Sequence, residues 1–265
     1  MTELAAITPE RHAKKVWKNI PDYSFAAEQT AIPLVGSELS KTVSAMPVAF
    51  IEEQDAGYQL VAITSLQPGI NLYVAPDGKW LGPYIPAALR AYPFRLAKQE
   101  SSEKSILCIN EASRLVVDNS EDGNAFFDDQ NQPTQRIKDI LNFLSEVEAN
   151  RTITQQAVNA LADAGLITPW AINLKQGEEV VPVNGLFHVD EAALNELDGD
   201  AFLALRKAGG LAVAYAQLLS MNQLSVLERL GELRGQILAQ QETAKSGAGL
   251  GGFSLAEDNG SLMFD

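Results

Sequence analysis

Apolar residues in the first half of the chain come in short runs at 48–52, 58–65 and 70–74, each bounded by Gly, Pro, Asp or Ser. Runs of that length between turn residues predict the strands of an antiparallel meander. Pro76-Asp77-Gly78 supplies a turn ahead of Trp80. Pro86 suits the first position of a helix and Pro93 disfavours helical geometry at Tyr92, so the spacing predicts a helix of one to two turns over 86–91. Strands are expected again at 94–97, 106–110 and 115–117.

From Gln135 the period changes to that of a helix, with Ile137, Ile140, Leu141, Leu144 and Val147 on one face. Thr152-Ile153-Thr154-Gln155 has the form of a capping box and predicts a second helix through Ala157, Val158 and Leu161, closed at Gly165. Strands are expected at 170–174, 180–183 and 186–189, with turns at Gln176-Gly177 and Asn184-Gly185. Asp190 is expected to cap a short helix and Asp200 another, the latter stopping at Gly209-Gly210. Residues 211–219 form a continuous apolar run whose alanines favour helix. The last helix is expected at 222–241, where Val226, Leu230, Leu233 and Ile237 form a narrow seam that packs on the chain's own core or on a second copy. These elements predict an α+β fold in one domain over 1–243, antiparallel and β-rich over 23–134, mixed and α-rich over 135–243. A Gly-rich tail, 244–265, carries the apolar tip Leu262, Met263 and Phe264, offered as a partner-binding peptide.

Charge narrows the function. The formal net charge is −14, and residues 1–50 are balanced, so the acidity belongs to the body of the protein. A field of that sign repels phosphate backbones, which argues against nucleic acid and anionic membrane as partners. Cys108 is the only cysteine, so no intramolecular disulfide can form, and its apolar setting predicts a buried, unreactive thiol. No signal-like leader opens the chain and no window approaches eighteen apolar residues, so the expected location is the cytoplasm, without membrane insertion.

Several stretches resemble one family. Residues 25–38 (FAAEQTAIPLVGSE), 46–50 (MPVAF), 77–94 (DGKWLGPYIPAALRAYPF) and 185–223, from GLFHVDEAAL to LLSMNQ, are similar to the SapC family of bacterial proteins. The resemblance implies an accessory character in surface-layer or outer-membrane nutrient-uptake pathways. It also implies companions among halogenase-like flavoproteins, cupin-like proteins and uptake-receptor components. It carries no catalytic residues.

Candidate chemistry is sparse. His12 and His188 are the only histidines, too few with one cysteine for a zinc site, and His12 is expected to be a solvated helix residue. No nucleophile elbow and no phosphate loop is present. Asp118, Ser120, Asp122 and Asp129 fit the oxygen positions of a calcium loop around Gly123, but the strand-like entry and the short twelfth ligand favour a solvated turn. No cofactor, metal or catalytic residue is therefore assigned. Trp80, Tyr84, Arg90, Tyr92 and Phe94 have the composition of a binding surface, since aromatic rings and arginine dominate contact energetics. Trp80 and Phe94 are expected to be buried. The sparse chemistry, with the accessory character that the resemblance implies, favours a non-enzymatic accessory that binds another protein. Two alternatives stay open: an enzyme or small-ligand-binding protein whose aromatic and carboxylate pocket forms no visible motif, and a structural module loaded with calcium or magnesium.

Overall fold

A computed structural model describes residues 3–54, 57–98, 105–118, 120–176 and 179–248. The chain opens with β1 (Leu4–Ala6), the single turn α1 (Pro9–His12), β2 (Lys15–Trp17) and β3 (Ala31–Pro33). A 3-10 turn, Gly36–Glu38, leads into α2 (Leu39–Thr42), then β4 (Val48–Glu53) and β5 (Gly57–Ile63) form a hairpin. After a long loop come α3 (Ala87–Arg90), β6 (Phe94–Lys98), β7 (Ser105–Asn110), β8 (Val116–Asp118) and β9 (Asn124–Ala125). Helix α4 (Gln135–Asp163) precedes β10 (Ile167–Pro169), β11 (Ile172–Gln176), β12 (Glu179–Val183) and β13 (Phe187–Val189). Helices α5 (Glu191–Asn195), α6 (Gly199–Lys207), α7 (Gly210–Ser220) and α8 (Leu224–Ala248) follow.

Antiparallel pairing builds a five-stranded sheet ordered β10-β13-β4-β5-β3, two three-stranded sheets, β1-β7-β6 and β8-β2-β9, and the hairpin β11-β12. The α+β class expected from the pattern is therefore what forms, although strands begin at Leu4, well before residue 23. The largest core lies between the five-stranded sheet and the helices, where Val158 and Leu161 of α4 and Val213 and Ala214 of α7 meet Phe50 and Val61. A second core joins Trp17, Phe94, Ile109 and Phe126 to Ile137 and Leu144 of α4. Ala26, Ile32, Val74 and Leu89 make a third, smaller one.

One helix, not two, spans residues 135–163. Ile137, Leu144, Arg151 and Val158 are spaced by seven, as are Ile140, Val147, Thr154 and Leu161, so the stripe is continuous and is interrupted only by the polar Arg151 and Thr154. The hydroxyls of Thr152 and Thr154 donate to the carbonyls of Glu148 and Asn150, four residues back, at 3.4 and 2.6 Å, instead of capping a new start. The helix ends at Gly165, whose φ of +68° is the left-handed geometry of a C-terminal cap.

Other expectations shift for local reasons. Residues 70–74 form a loop with one isolated bridge, Val74 to Trp80, because the buried Asn71 side chain donates to Ala26 O and accepts from Tyr73 N. Asp198, not Asp200, caps α6 by accepting from Ala201 N at 2.8 Å. Asp190 caps α5 as expected. The strand expected at 170–174 starts at Ile172, and 167–169 is a separate strand paired with β13. Helix α8 runs on to Ala248, past the expected limit of 241.

Strands β4 and β13 pair at only one position, Phe187 with Phe50. Beyond it the two strands are bridged by α7. Gln217 Oε1 accepts from Val189 N at 2.9 Å and its Nε2 donates to Val48 O at 3.2 Å, while Ser220 Oγ accepts from Val48 N at 2.9 Å. All of this is buried, so each backbone group would otherwise be stranded. Replacing Gln217 by Leu should therefore destabilise the protein by about 2–4 kcal/mol, because two buried backbone groups lose their partners. Thermal melting should register a fall of roughly 5–15 °C.

Candidate functional site

The loop before α3 is organised by one carboxylate. Glu38 is buried at the end of its 3-10 turn; its Oε1 accepts from Tyr84 Oη at 2.7 Å and from Ala87 N at 2.6 Å, and its Oε2 accepts from Val35 N at 3.1 Å. The same turn is tied to α4, since Gly36 N donates to Thr154 Oγ1 at 2.7 Å. Burial, and then the bond to Glu38, push the Tyr84 phenol up to about 12. Tyr84 is thus a neutral donor at ordinary pH. Trp80 is half-buried; its ring stacks on Tyr73 at 5.3 Å and its Nε1 donates to Tyr84 O at 2.8 Å. A Cβ on Gly82 would come within 2.9 Å of Trp80 Nε1 and 2.8 Å of the Tyr73 ring, so only glycine lets the loop close over these rings.

Arg90, at the end of α3, is exposed and lies 4.9 Å from the Phe143 ring centroid and 5.9 Å from that of Tyr84. Its Nε donates to Ile85 O at 3.1 Å, which fixes the guanidinium across both rings. Tyr92 stacks on Phe25 with centroids 3.8 Å apart, and the Tyr92–Pro93 peptide is cis. Phe94 is buried in the second core, edge-on to Trp17 at 5.4 Å.

Two grooves flank the segment Tyr92-Pro93-Phe94. One, of about 380 Å³, is lined by Phe25, Gln29, Tyr92, Arg95, Asn110 and Arg151 among others. The other, of about 340 Å³, includes Lys18, Arg90, Tyr92 and Phe143. Four cations and no carboxylate line the pair. Sequence reasoning names Arg90 and Tyr92 but misses Phe25, Phe143, Lys18 and Arg151. Arg151 had one available signal, a cation in the seven-residue series of α4.

The remaining candidates lie elsewhere. His12 is fully buried, not solvated, because α1 is a single turn that folds the ring against Phe126 at 5.0 Å, with its Nδ1 accepting from Thr8 N at 3.4 Å. Its Nε2 faces Glu111 Oε1 at 3.3 Å, and Glu111 also pairs with Arg11. Burial holds the His12 imidazole below its ordinary range, while Arg11 holds Glu111 low. His188 sits on β13 of the five-stranded sheet with Nε2 3.5 Å from Thr168 Oγ1, far in sequence from His12 on α1. Cys108 is buried on β7, and burial pushes its thiol up. Asp118 and Asp122 are exposed, and among the described residues no group of three His, Cys, Asp or Glu side chains could hold a metal ion. Leu262, Met263 and Phe264 lie outside the described residues. Among the described residues no helix is long and apolar enough to cross a membrane.

Two outcomes test this geometry. Glu38→Gln keeps the size of the side chain but sets an amide N–H against a buried backbone or phenol donor. It should lower stability by about 1–3 kcal/mol, seen as a melting temperature lower by roughly 2–12 °C. His12 is held neutral by burial, so its contribution is complete above the unfolded pKa of about 6.5 and is lost as pH falls below that value. The melting temperature should therefore decline from pH 7.5 to 5.5, and His12→Gln should flatten that part of the profile; an unchanged slope would remove His12 as its source.

A family model described as SapC matches residues 7–227. No curated protein and no solved structure matches the chain. The matched span covers the buried residues of all three cores, the Glu38 carboxylate and the four groove cations, and with more than four fifths of its length inside the family model the chain belongs to the SapC family.

Proposed function

We propose that this protein is a non-enzymatic accessory that binds another protein through the surface around Arg90 and Tyr92. The observation that carries the reading is the local reversal of charge: in a chain of net charge −14, the two grooves beside Tyr92-Pro93-Phe94 are lined by Lys18, Arg90, Arg95 and Arg151 and by no carboxylate, and of these Arg151 is paired with Glu148 at 3.2 Å. Arginine fixed over aromatic rings presents donors at small entropic loss, a common feature of contact hot spots. An acidic segment of the partner is the complement such a face selects. Against catalysis stands the state of the best acid–base pair: Glu38 is occupied by Tyr84 and two backbone amides, and the Tyr84 hydroxyl is held between Glu38 and Arg90. The SapC membership adds the setting, a bacterial surface-layer or outer-membrane nutrient-uptake pathway, where the partner is a halogenase-like flavoprotein, a cupin-like protein or a receptor component.

Affinity purification from the native bacterium with mass spectrometry tests the reading. A stoichiometric protein should co-purify, and Arg90→Gln combined with Arg95→Gln should reduce its recovery at least tenfold while the melting temperature stays within a few degrees. If no protein co-purifies and a small molecule remains in the 380 Å³ groove, which is of ligand size, the ligand-binding alternative takes its place.

A further inference from the structure

Helix α8 is 25 residues long, about 37 Å, and its first half rests on the body. Leu227 is buried, Leu224, Val226 and Leu230 are half-buried against the main core, and Arg234 donates to Val74 O at 3.1 Å. Farther along, Leu238 is 43% exposed. Beside the seated part lies a groove of about 530 Å³ between α8, β11 and the loop after β5. Its floor is apolar, with Leu66, Leu72, Leu174, Leu224 and Leu227, and its rim is formed by Glu228 and Glu232. Among the described residues neither rim carboxylate has an ion pair.

Gly231 also lines this groove, at mid-helix, where glycine costs about 1 kcal/mol relative to alanine. A Cβ there meets nothing within 4 Å. Packing within the described chain therefore gives no reason for a glycine, whereas a segment lying close against the helix backbone would.

We infer that this groove is a second docking site, distinct from the Arg90 face, and that it takes a cationic amphipathic segment of a partner protein. The apolar floor receives the partner's apolar side chains, and Glu228 and Glu232, one helical turn apart, meet its Lys or Arg residues. Opposite charge selects such a segment over a second copy of this chain, whose net charge of −14 opposes self-association at an acidic rim.

The test uses a fluorescently labelled 18-residue amphipathic peptide of leucine and lysine, a counterpart with glutamate in place of lysine, and anisotropy as the readout. The wild-type protein should bind the lysine peptide and not the glutamate one. Gly231→Trp, which fills the groove without changing charge, should weaken binding at least tenfold with the melting temperature unchanged or raised. Glu228→Gln with Glu232→Gln should weaken it several-fold, while Glu52→Gln with Glu53→Gln, which removes the same charge from the exposed end of β4, should not. Arg90→Gln with Arg95→Gln should leave it intact, which separates failure here from failure of the cationic-face reading. Full binding by Gly231→Trp, or equal loss in the Glu52 and Glu53 control, would overturn the proposal. So would a wild-type dimer in sedimentation that Gly231→Trp abolishes, since the occupant would then be a second copy.

Discussion

The buried carboxylate of Glu38 is the interaction on which the candidate surface depends. A carboxylate out of water is tolerated only when its oxygens are occupied, and here three donors come from three places: the Val35 amide, the Tyr84 phenol and the first amide of α3. One side chain thus sets the start of α3 relative to the 3-10 turn, and Arg90 at the other end of α3 inherits that position. The turn is itself anchored to α4 through Thr154, so the longest helix in the body fixes the place where Arg90 projects. Rigidity under an arginine is what makes its ring stacking productive, because the entropy of holding the guanidinium is then lost before a partner arrives.

Helix α4 explains why two cores behave as one body. Its N-terminal half supplies Ile137 and Leu144 to the core of the smaller sheets, and its C-terminal half supplies Val158 and Leu161 to that of the five-stranded sheet. A break at Thr152, as the capping-box pattern suggests, would let the halves move independently. The hydroxyl bonds to carbonyls four residues back keep the helix whole; of the polar positions that interrupt its stripe, Arg151 lines the larger cationic groove and Thr154 holds Gly36 N.

Much of the fold was legible because pleat alternation and helical period are local properties. The β4–β5 hairpin, β6, β7, α7 and the Asp190 cap follow directly from residue order. What escaped depends on distant partners. Strands β1, β2 and β3 are three residues long and exist because β7, β8 and β5 supply their hydrogen bonds, so no periodicity marks them. His12 looks like a polar residue on a short helix until β2 and Phe126 enclose it. Glu38 carries the same difficulty, since its phenolic partner lies 46 residues away. Of the aromatic and arginine residues singled out at 80–94, the structure brings Arg90, Tyr92 and Phe94 to the groove walls. The charge asymmetry of those walls was not visible, because Lys18 and Arg151 come from segments far from 80–94 on either side of it.

The two grooves differ in sign but share a mechanical base. Arg234 of α8 donates to the carbonyl of Val74, and the Val74 side chain packs with Ile32, Ala26 and Leu89 in the smallest core. Leu89 belongs to α3, next to Arg90. Four buried residues form the centre of that core, and both outer neighbours, Arg234 and Arg90, end in hydrogen bonds to backbone carbonyls. The acidic groove and the cationic face are therefore joined by one contiguous set of packed residues, Arg234, Val74 and Leu89.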